Sequence, residues 1–417
     1  MPSSLYCHGN CVVRAAFVLS LFGWGIGFYG PPIFLHAVMA RTGWSLALVS
    51  AAVTLHFLWG AGVVACLPAI HRRLGIAATT ITGAVLLAAG AMGWALAETP
   101  WQLFVAAMLT GGGWVPLGAA GINAIISPWF TRGRPLALAK AYNGASVGGM
   151  LFSPLWAVSI ERIGFPAAAM VLGLAMIAVV LRIARRVLTR TPSAEESSAQ
   201  AQAGQCSAPA PAAVRGSLWQ DRRFLTLAAA MSLGLFAQIG LLAQLFSLLA
   251  PGMGAQLAGG IMALATGCGM AGRLLTARLL GRYPQRRRAA AASYALQAAG
   301  TLLLFAGADA GALVLLGIVL FGLGIGNATS LPPLIAQADF APADVARVVA
   351  RSVALSQALY AFAPAVLAGL LLGAARTTPS LGASTDAYFC AIFLLQVLAA
   401  VCVLGARRPK HRLRPAQ

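Results

Sequence analysis

Residues 224–272 read FLTLAAAMSLGLFAQIGLLAQLFSLLAPGMGAQLAGGIMALATGCGMAG and contain no Asp, Glu, Lys or Arg. A helix needs about 20 apolar residues to cross a bilayer at a rise of 1.5 Å per residue. The stretch is long enough for two crossings, and the segment APGMG at 250–254 predicts a tight turn between them. This part of the chain therefore predicts a pair of transmembrane helices.

Ten other stretches of similar character lie outside this pair. Of the 417 residues, 59% are hydrophobic and only 9% are charged, which excludes a soluble globular protein. The apolar runs are continuous, whereas strands of a membrane barrel alternate polar and apolar residues. The sequence predicts an all-α membrane protein with twelve transmembrane helices, at roughly 12–38, 44–69, 77–97, 101–127, 135–158, 166–187, 224–249, 255–280, 289–307, 311–336, 345–373 and 384–405.

The formal net charge of +20 comes mainly from arginines between the predicted helices. They concentrate in alternate loops, which the positive-inside rule assigns to the cytoplasm. We therefore expect a multi-pass protein of the cell (inner) membrane with both termini cytoplasmic. The arginine run at 286–288 suits anionic lipid headgroups better than nucleic acid, so we expect membrane lipids and no nucleic acid as partners.

A change of composition divides the chain in two. Residues 191–215, TPSAEESSAQAQAGQCSAPAPAAVR, have the composition of a flexible linker. Landmarks recur across it: 130–154 matches 340–364 with an offset of 210, and Arg73 matches Arg282 with an offset of 209. The sequence predicts two pseudo-symmetric six-helix lobes, with an N-terminal lobe at 1–188, a cytoplasmic linker at 189–222, a C-terminal lobe at 223–406 and a tail at 407–417.

Two segments carry a resemblance to a known family. The segment SPWFTRGRPLALAKAYNGASVGG (127–149) and the segment GRLLTARLLGR (272–282) resemble the major facilitator superfamily, and within it the monocarboxylate-porter branch. The resemblance implies a monomeric transporter that works by alternating access, without enzymatic activity, cofactor or metal. It also implies gating roles in the cytoplasmic loops, for which the candidates are Arg72, Arg73, Arg134 and Arg282. In PAIHRRLG (68–75), Arg72 stands where the family pattern has an Asp.

Arg273 is the most informative single residue. It lies nine residues before Arg282, which places it about 13 Å into the membrane. All nine acidic residues fall in loops, in the linker or at helix ends, so no carboxylate is expected beside it. Because a buried arginine needs a partner, it is a candidate for binding an anionic substrate. The alternative is that it binds helix carbonyls, or Asp339 or Asp344, near the cytoplasmic gate.

Other polar residues on the predicted helices outline a cavity between the lobes. The further candidates for substrate binding are Asn143, Tyr360, Gln238, Tyr29 and Asn327, although polar groups in membrane helices more often hydrogen-bond to neighbouring helices. His56, near mid-membrane, is the candidate for proton coupling, against the alternative of a neutral histidine in a helix interface. The substrate carboxylate, whose proton competes with Arg273, is a second route for coupling.

The sequence thus predicts a secondary active transporter of a small organic anion, monocarboxylate-like and proton-coupled. Two alternatives remain open. An exporter of amphipathic compounds would keep its transport after Arg273→Ala and would follow substrate hydrophobicity. A non-transporting membrane sensor of the same fold would bind a ligand without showing counterflow.

Overall fold

The computed structural model describes residues 2–130, 133–190, 217–253, 255–283, 285–307, 311–377 and 381–405. Within these ranges every regular element is a helix, as the continuous apolar runs predict. Most of the predicted linker at 189–222 and the whole predicted tail at 407–417 lie outside the described residues.

Within its described residues the N-terminal half contains seven α-helices, and short π or 3-10 turns join several of them. The paired glycines and prolines of residues 23–32 predict an interrupted first helix, and a π-helical turn at Gly23–Phe28 confirms it. Within the third helix, Gly75 adopts a positive φ of 78°, which divides the helix into two. The helices are α1 (Pro2–Phe22), α2 (Gly30–Thr42), α3 (Leu46–Leu96), α4 (Pro100–Gly113), α5 (Ala119–Ile126), α6 (Arg134–Ile163) and α7 (Phe165–Ile183).

The C-terminal half contains eight α-helices within the described ranges. The first of them continues to Met253 and the next begins at Ala255, so residues 250–253 of the predicted turn are helical and the two helices are divided at the end of that segment. The helices are α8 (Arg222–Met253), α9 (Ala255–Arg282), α10 (Arg286–Ala306), α11 (Gly311–Ile325), α12 (Asn327–Asp339), α13 (Pro342–Tyr360), α14 (Ala363–Thr377) and α15 (Leu381–Leu404).

Ten helical stretches of the described residues are long and apolar enough to cross a membrane. Many apolar side chains also face outward, Trp101 and Leu174 among them, as expected for helices in contact with lipid. The chain is therefore a multi-pass membrane protein. The count of twelve crossings and their division into two lobes stay predictions.

Small residues let the helices approach closely. A Cβ atom added at Gly144 on α6 would lie 2.0 Å from the Phe17 carbonyl oxygen on α1, and one at Gly148 would lie 2.4 Å from that of Leu21. This confirms that the two glycines serve close helix packing, as their spacing of four residues predicts. The approach fixes the position of α6, the helix that carries Asn143.

Hydrogen bonds of Gln357 and Gln337 also join the halves, separately from the contacts of Arg273. The Gln357 Nε2 atom on α13 donates to the Phe57 carbonyl oxygen on α3 at 3.0 Å. The Gln337 Nε2 atom on α12 donates to Asn123 Oδ1 on α5 at 3.4 Å. The halves thus meet through polar contacts as well as through an apolar core that contains residues of both.

Candidate functional site

Arg273 lies between the two halves of the chain. Its side chain is 5% exposed. The Nε atom donates to the Gly326 carbonyl oxygen at 2.7 Å, and Nη1 donates to Asn143 Oδ1 at 2.7 Å. Since α9 carries Arg273 and α6 carries Asn143, the guanidinium links the C-terminal half to the N-terminal half. Its Nη2 atom donates to no described residue.

No carboxylate pairs with Arg273 among the described residues. Asp339 pairs with Arg287 at 2.7 Å, and Asp344 pairs with Arg347 at 2.6 Å. The alternative interpretation is that Arg273 binds helix carbonyls, or Asp339 or Asp344. Arg273 does bind a carbonyl, that of Gly326, but it binds neither aspartate. A buried guanidinium with spare donors and no counter-charge is a site that an anion would stabilise.

Close contact between α9 and the start of α12 positions this guanidinium. A Cβ atom at Gly326 would lie 2.0 Å from the Gly269 carbonyl oxygen, and one at Gly272 would lie 2.1 Å from that of Leu323. No larger residue fits at either place without moving a helix. The glycines therefore bring the Gly326 carbonyl within reach of Nε and hold the guanidinium toward α6.

Two tyrosines surround the guanidinium on the side of the N-terminal half. The phenols of Tyr29 and Tyr142 lie within electrostatic range of Arg273. The Tyr142 hydroxyl donates to the Ala119 carbonyl oxygen at 2.8 Å, so it is already used. The Tyr29 ring packs on Gly149, where a Cβ atom would lie 2.5 Å from ring carbons, and its hydroxyl bonds to no described residue. Tyr29 and Asn143 are thus the predicted binding residues that the structure brings to Arg273.

Among the described residues, no hydrogen bond joins the side chain of Tyr360 or of Gln238 to Arg273, and each has other surroundings. The Tyr360 ring contacts the rings of Phe28 and Phe57 across the two halves, with centroids 6.3 and 5.7 Å apart. The Gln238 Oε1 atom on α8 is sealed from solvent without a hydrogen-bond partner among the described residues. The binding roles of Tyr360 and Gln238 stay predictions.

Asn327 follows Gly326 in the chain, but no hydrogen bond joins its side chain to Arg273. Its Nδ2 atom donates to Thr276 Oγ1 and Ser293 Oγ, both at 3.0 Å. These partners lie on α9 and α10, so the amide serves packing within the C-terminal half. The binding role of Asn327 stays a prediction.

His56 is completely buried. Its Nδ1 atom lies 2.9 Å from Thr110 Oγ1, which also accepts a hydrogen bond from Trp94 Nε1 at 3.2 Å. The ring stacks on Trp114 with centroids 6.3 Å apart, and Nε2 has no hydrogen-bond partner among the described residues, although the Gly27 carbonyl is near. The setting matches the alternative of a histidine in a helix interface and leaves one ring nitrogen for a proton.

The four gating candidates fall into two groups. Arg72, Arg73 and Arg282 are exposed and make no hydrogen bond or ion pair with described residues. Arg134 is half-buried and donates to the carbonyl oxygens of Ser127 and Phe130. Of the four, Arg134 therefore lies next to a contact between the halves, because Ser127 Oγ accepts a hydrogen bond from Gln337 at 3.5 Å.

A network of charged and polar contacts joins α8, α10, α12 and α15 in the C-terminal half. Arg287 donates to Asp339, to Thr226 Oγ1 and to two backbone carbonyls. Nearby, Arg223 binds Asp221 at 2.6 Å. Partial burial raises the pKa of the Asp221 carboxyl, but the hydrogen bonds from the Arg223 side chain and backbone together lower this pKa below its ordinary value.

Sequence reasoning gives too little weight to two residues of this region. Gln357 stands in the sequence only as a neighbour of other polar groups, yet it joins α13 to α3. Tyr142 precedes Asn143 in the chain without any local feature that distinguishes it, although it lies beside Arg273. Helical periodicity gives the face of a residue on its own helix, and it does not say which helix will pack there.

The sequence was compared with models of protein families. The model of the Major Facilitator Superfamily matches residues 15–366. The chain belongs to the major facilitator superfamily. Proteins of this superfamily are membrane transporters and are generally not enzymes, so this protein is a transporter, and the family leaves its substrate unspecified. Comparison with curated proteins gave no match.

Solved structures of major facilitator transporters share the fold. The human organic anion transporter MFSD10 (TETRAN) has a TM-score of 0.67 at 15% identity, and the match covers 95% of this chain and 99% of that one. The transporter FucP in its outward conformation has a TM-score of 0.64 at 15% identity, with 94% and 99% covered. A single-residue variant of FucP, the E. coli fucose:proton symporter, gives 0.62 at 15% identity, again with 94% and 99% covered. At such identity the likeness concerns the fold alone.

Proposed function

We propose that this major facilitator transporter carries a small organic anion with a single carboxylate, and that Arg273 binds the carboxylate. One observation carries the proposal: a buried guanidinium touches both halves of the chain and has no carboxylate partner among the described residues. An arginine at such depth costs a few kcal/mol, which a bound anion offsets. One structural neighbour is an organic anion transporter, which is consistent with this substrate class.

The spare donors of Arg273 suit one carboxylate. Nε is engaged by Gly326, and one hydrogen of Nη1 is engaged by Asn143. Nη2 keeps both of its hydrogens and Nη1 keeps one, so the guanidinium can still donate to both oxygens of a carboxylate. Tyr29 adds a hydroxyl near them that bonds to no described residue. Asn143 shares Nη1 with the anion, so it belongs to the same binding site.

Coupling to protons is the second part of the proposal. The carboxylate itself offers one route, because protonation removes the charge that Arg273 binds. His56 offers another, since its Nε2 atom has no partner among the described residues. If His56 takes part, His56→Gln will flatten the pH dependence of uptake. An unchanged pH profile in His56→Gln assigns the coupling to the carboxylate.

Counterflow of carboxylates in proteoliposomes tests the proposal. Arg273→Gln keeps a polar side chain and removes the charge, and we expect it to abolish counterflow. Arg278→Gln on the same helix is the matched control, because Arg278 is exposed and binds no described residue. The proposal fails if inserted Arg273→Gln protein transports carboxylates as well as the control. If transport survives Arg273→Gln and follows the hydrophobicity of the substrate, the protein is the exporter of amphipathic compounds. If carboxylates bind without counterflow, it is the membrane sensor.

We further propose that the protein works as a monomer in the cell membrane, with two six-helix lobes and both termini in the cytoplasm. The arginine-rich loops support this orientation. In opened cells, an Arg73→Cys variant should react with a membrane-impermeant maleimide more than the wild type does, whereas in intact cells the two proteins should be labelled equally. Greater labelling of the variant in intact cells would show that the proposed orientation is wrong.

A further inference from the structure

An aromatic wall lies beside Tyr29, whose phenol is within electrostatic range of Arg273, and its composition bears on the chemical class of the substrate. The wall consists of the rings of Phe28, Phe57, Trp114 and Tyr360. Phe28 is its centre, with ring centroids 5.7 Å from Phe57, 6.2 Å from Trp114 and 6.3 Å from Tyr360. Three of these residues come from the N-terminal half and Tyr360 from the other, so the wall crosses the boundary between the halves.

Tyr29 connects the wall to Arg273. Its ring lies 5.1 Å from that of Phe28, at an interplanar angle of 80°, and its phenol lies within electrostatic range of the guanidinium. Tyr29 also packs on Gly149, six residues beyond Asn143 on α6. Six residues of helix span about 9 Å, so the rings begin about one small molecule's length from the Arg273–Asn143 contact.

The wall is not completely sealed. Phe28 and Tyr29 are both half-buried, whereas Phe57 and Tyr360 are buried. The hydroxyls of Tyr29 and Tyr360 bond to no described residue. Phe28 and Tyr29 therefore keep some exposed side-chain surface, and Tyr29 keeps an unused hydroxyl.

The charge of the region limits the substrate as well. Arg273 is the single buried arginine or lysine in the part of the chain that the structure describes. A monoanion neutralises it, whereas a dianion would leave an uncompensated charge in an apolar surrounding, which is costly. Edges of aromatic rings favour the face of another ring over an aliphatic group of equal size.

We propose that the substrate is an aromatic monocarboxylate, with its carboxylate on Arg273 and its ring against Phe28 in the aromatic wall. This inference rests on the proposed function and narrows its substrate class. It sets an aryl group at a short distance from one carboxylate and excludes a second carboxylate. A small aliphatic acid would use only the guanidinium end of the site.

Binding to the purified full-length protein tests the inference on matched pairs. The probes are 3-phenylpropanoate against 3-cyclohexylpropanoate, propanoate as the short aliphatic acid, and phthalate as the dianion. We expect 3-phenylpropanoate to bind about three- to ten-fold more tightly than its cyclohexyl analogue, the range given by one or two ring contacts. We expect propanoate and phthalate to bind more weakly than both. Equal affinities of the phenyl and cyclohexyl acids would overturn the inference.

Variants of the wall make the test specific. Phe28→Leu should remove most of the phenyl preference, and Phe28→Tyr should retain it, since the ring is kept. Phe22→Leu is the control, because Phe22 is the last residue of α1 and pairs with Phe152 outside the wall, at 5.5 Å. A phenyl preference that persists in folded Phe28→Leu contradicts the inference. If no carboxylate binds the wild-type protein at all, the proposed function itself fails.

Discussion

Asn143→Asp should turn the partner of Arg273 into a permanent competitor of the substrate. The Asn143 Oδ1 atom already lies 2.7 Å from Nη1, and aspartate has nearly the same shape as asparagine. The substitution therefore places a carboxylate against the guanidinium without a change of packing. Two opposite charges about 4 Å apart attract by about 4 kcal/mol at an effective dielectric constant of 20.

A substrate carboxylate would gain this attraction from Arg273 in the wild type, and it loses the attraction when Asn143→Asp neutralises the guanidinium. Since 1.4 kcal/mol corresponds to a factor of ten, we expect the affinity for a carboxylate to fall on the order of a thousand-fold. Isothermal titration of the purified variant with the acid that binds wild-type protein best measures this directly. The thermal stability of the variant without ligand should not fall, because the new ion pair replaces an existing hydrogen bond.

Asn123→Asp is the matched control. Asn123 is a buried asparagine at another contact between the halves, where it accepts from Gln337 at 3.4 Å, and it makes no hydrogen bond with Arg273. This variant should keep its affinity within about three-fold. An Asn143→Asp protein that binds carboxylates as tightly as the wild type would refute the reasoning, since it would mean that the anion binds elsewhere.

Three further outcomes follow from the packing and the surface charges. Gly326→Ala should destabilise the purified protein by about 1 to 3 kcal/mol in thermal unfolding, because the new methyl group meets the Gly269 carbonyl; an unchanged midpoint would contradict the close approach. Arg287→Ala should lower stability by about 3 kcal/mol, whereas Arg288→Ala, whose parent residue is exposed, should cost less than about 0.5 kcal/mol. Asp221→Asn should lower stability by less than about 1 kcal/mol at neutral pH. The folded pKa of Asp221 is depressed, so its contribution is present above the ordinary aspartate pKa and disappears as the pH falls through the folded value; the variant and the wild type should therefore converge in acid.

Much of the fold was readable from single stretches of sequence. The charge-free runs predicted helices because a backbone in lipid must satisfy its hydrogen bonds internally. The break between α8 and α9 and the interruption at residues 23–32 were visible as Pro and Gly, which a helix tolerates poorly. The superfamily was also accessible, since the segments at 127–149 and 272–282 carry its resemblance, and the family model confirms it.

The site was only partly readable. Arg273 stood out because it lies nine residues from Arg282 at the end of its helix, and its depth followed from this count. Its partner Asn143 is 130 residues away, and nothing local links the two. Asn327 illustrates the reverse: it looked equivalent to the other polar candidates, yet it bonds to Thr276 and Ser293 within its own half.

Local sequence was enough to identify a helical membrane transporter of the major facilitator superfamily with one deeply placed arginine. Those features depend on hydrophobicity and spacing, which are local properties of a chain. Three contacts are visible only in the folded chain: Arg273 bridges the halves, Tyr29 joins it to the aromatic wall, and His56 is buried beside Thr110. Such contacts depend on which helix faces pack together, and packing is settled by the whole chain at once.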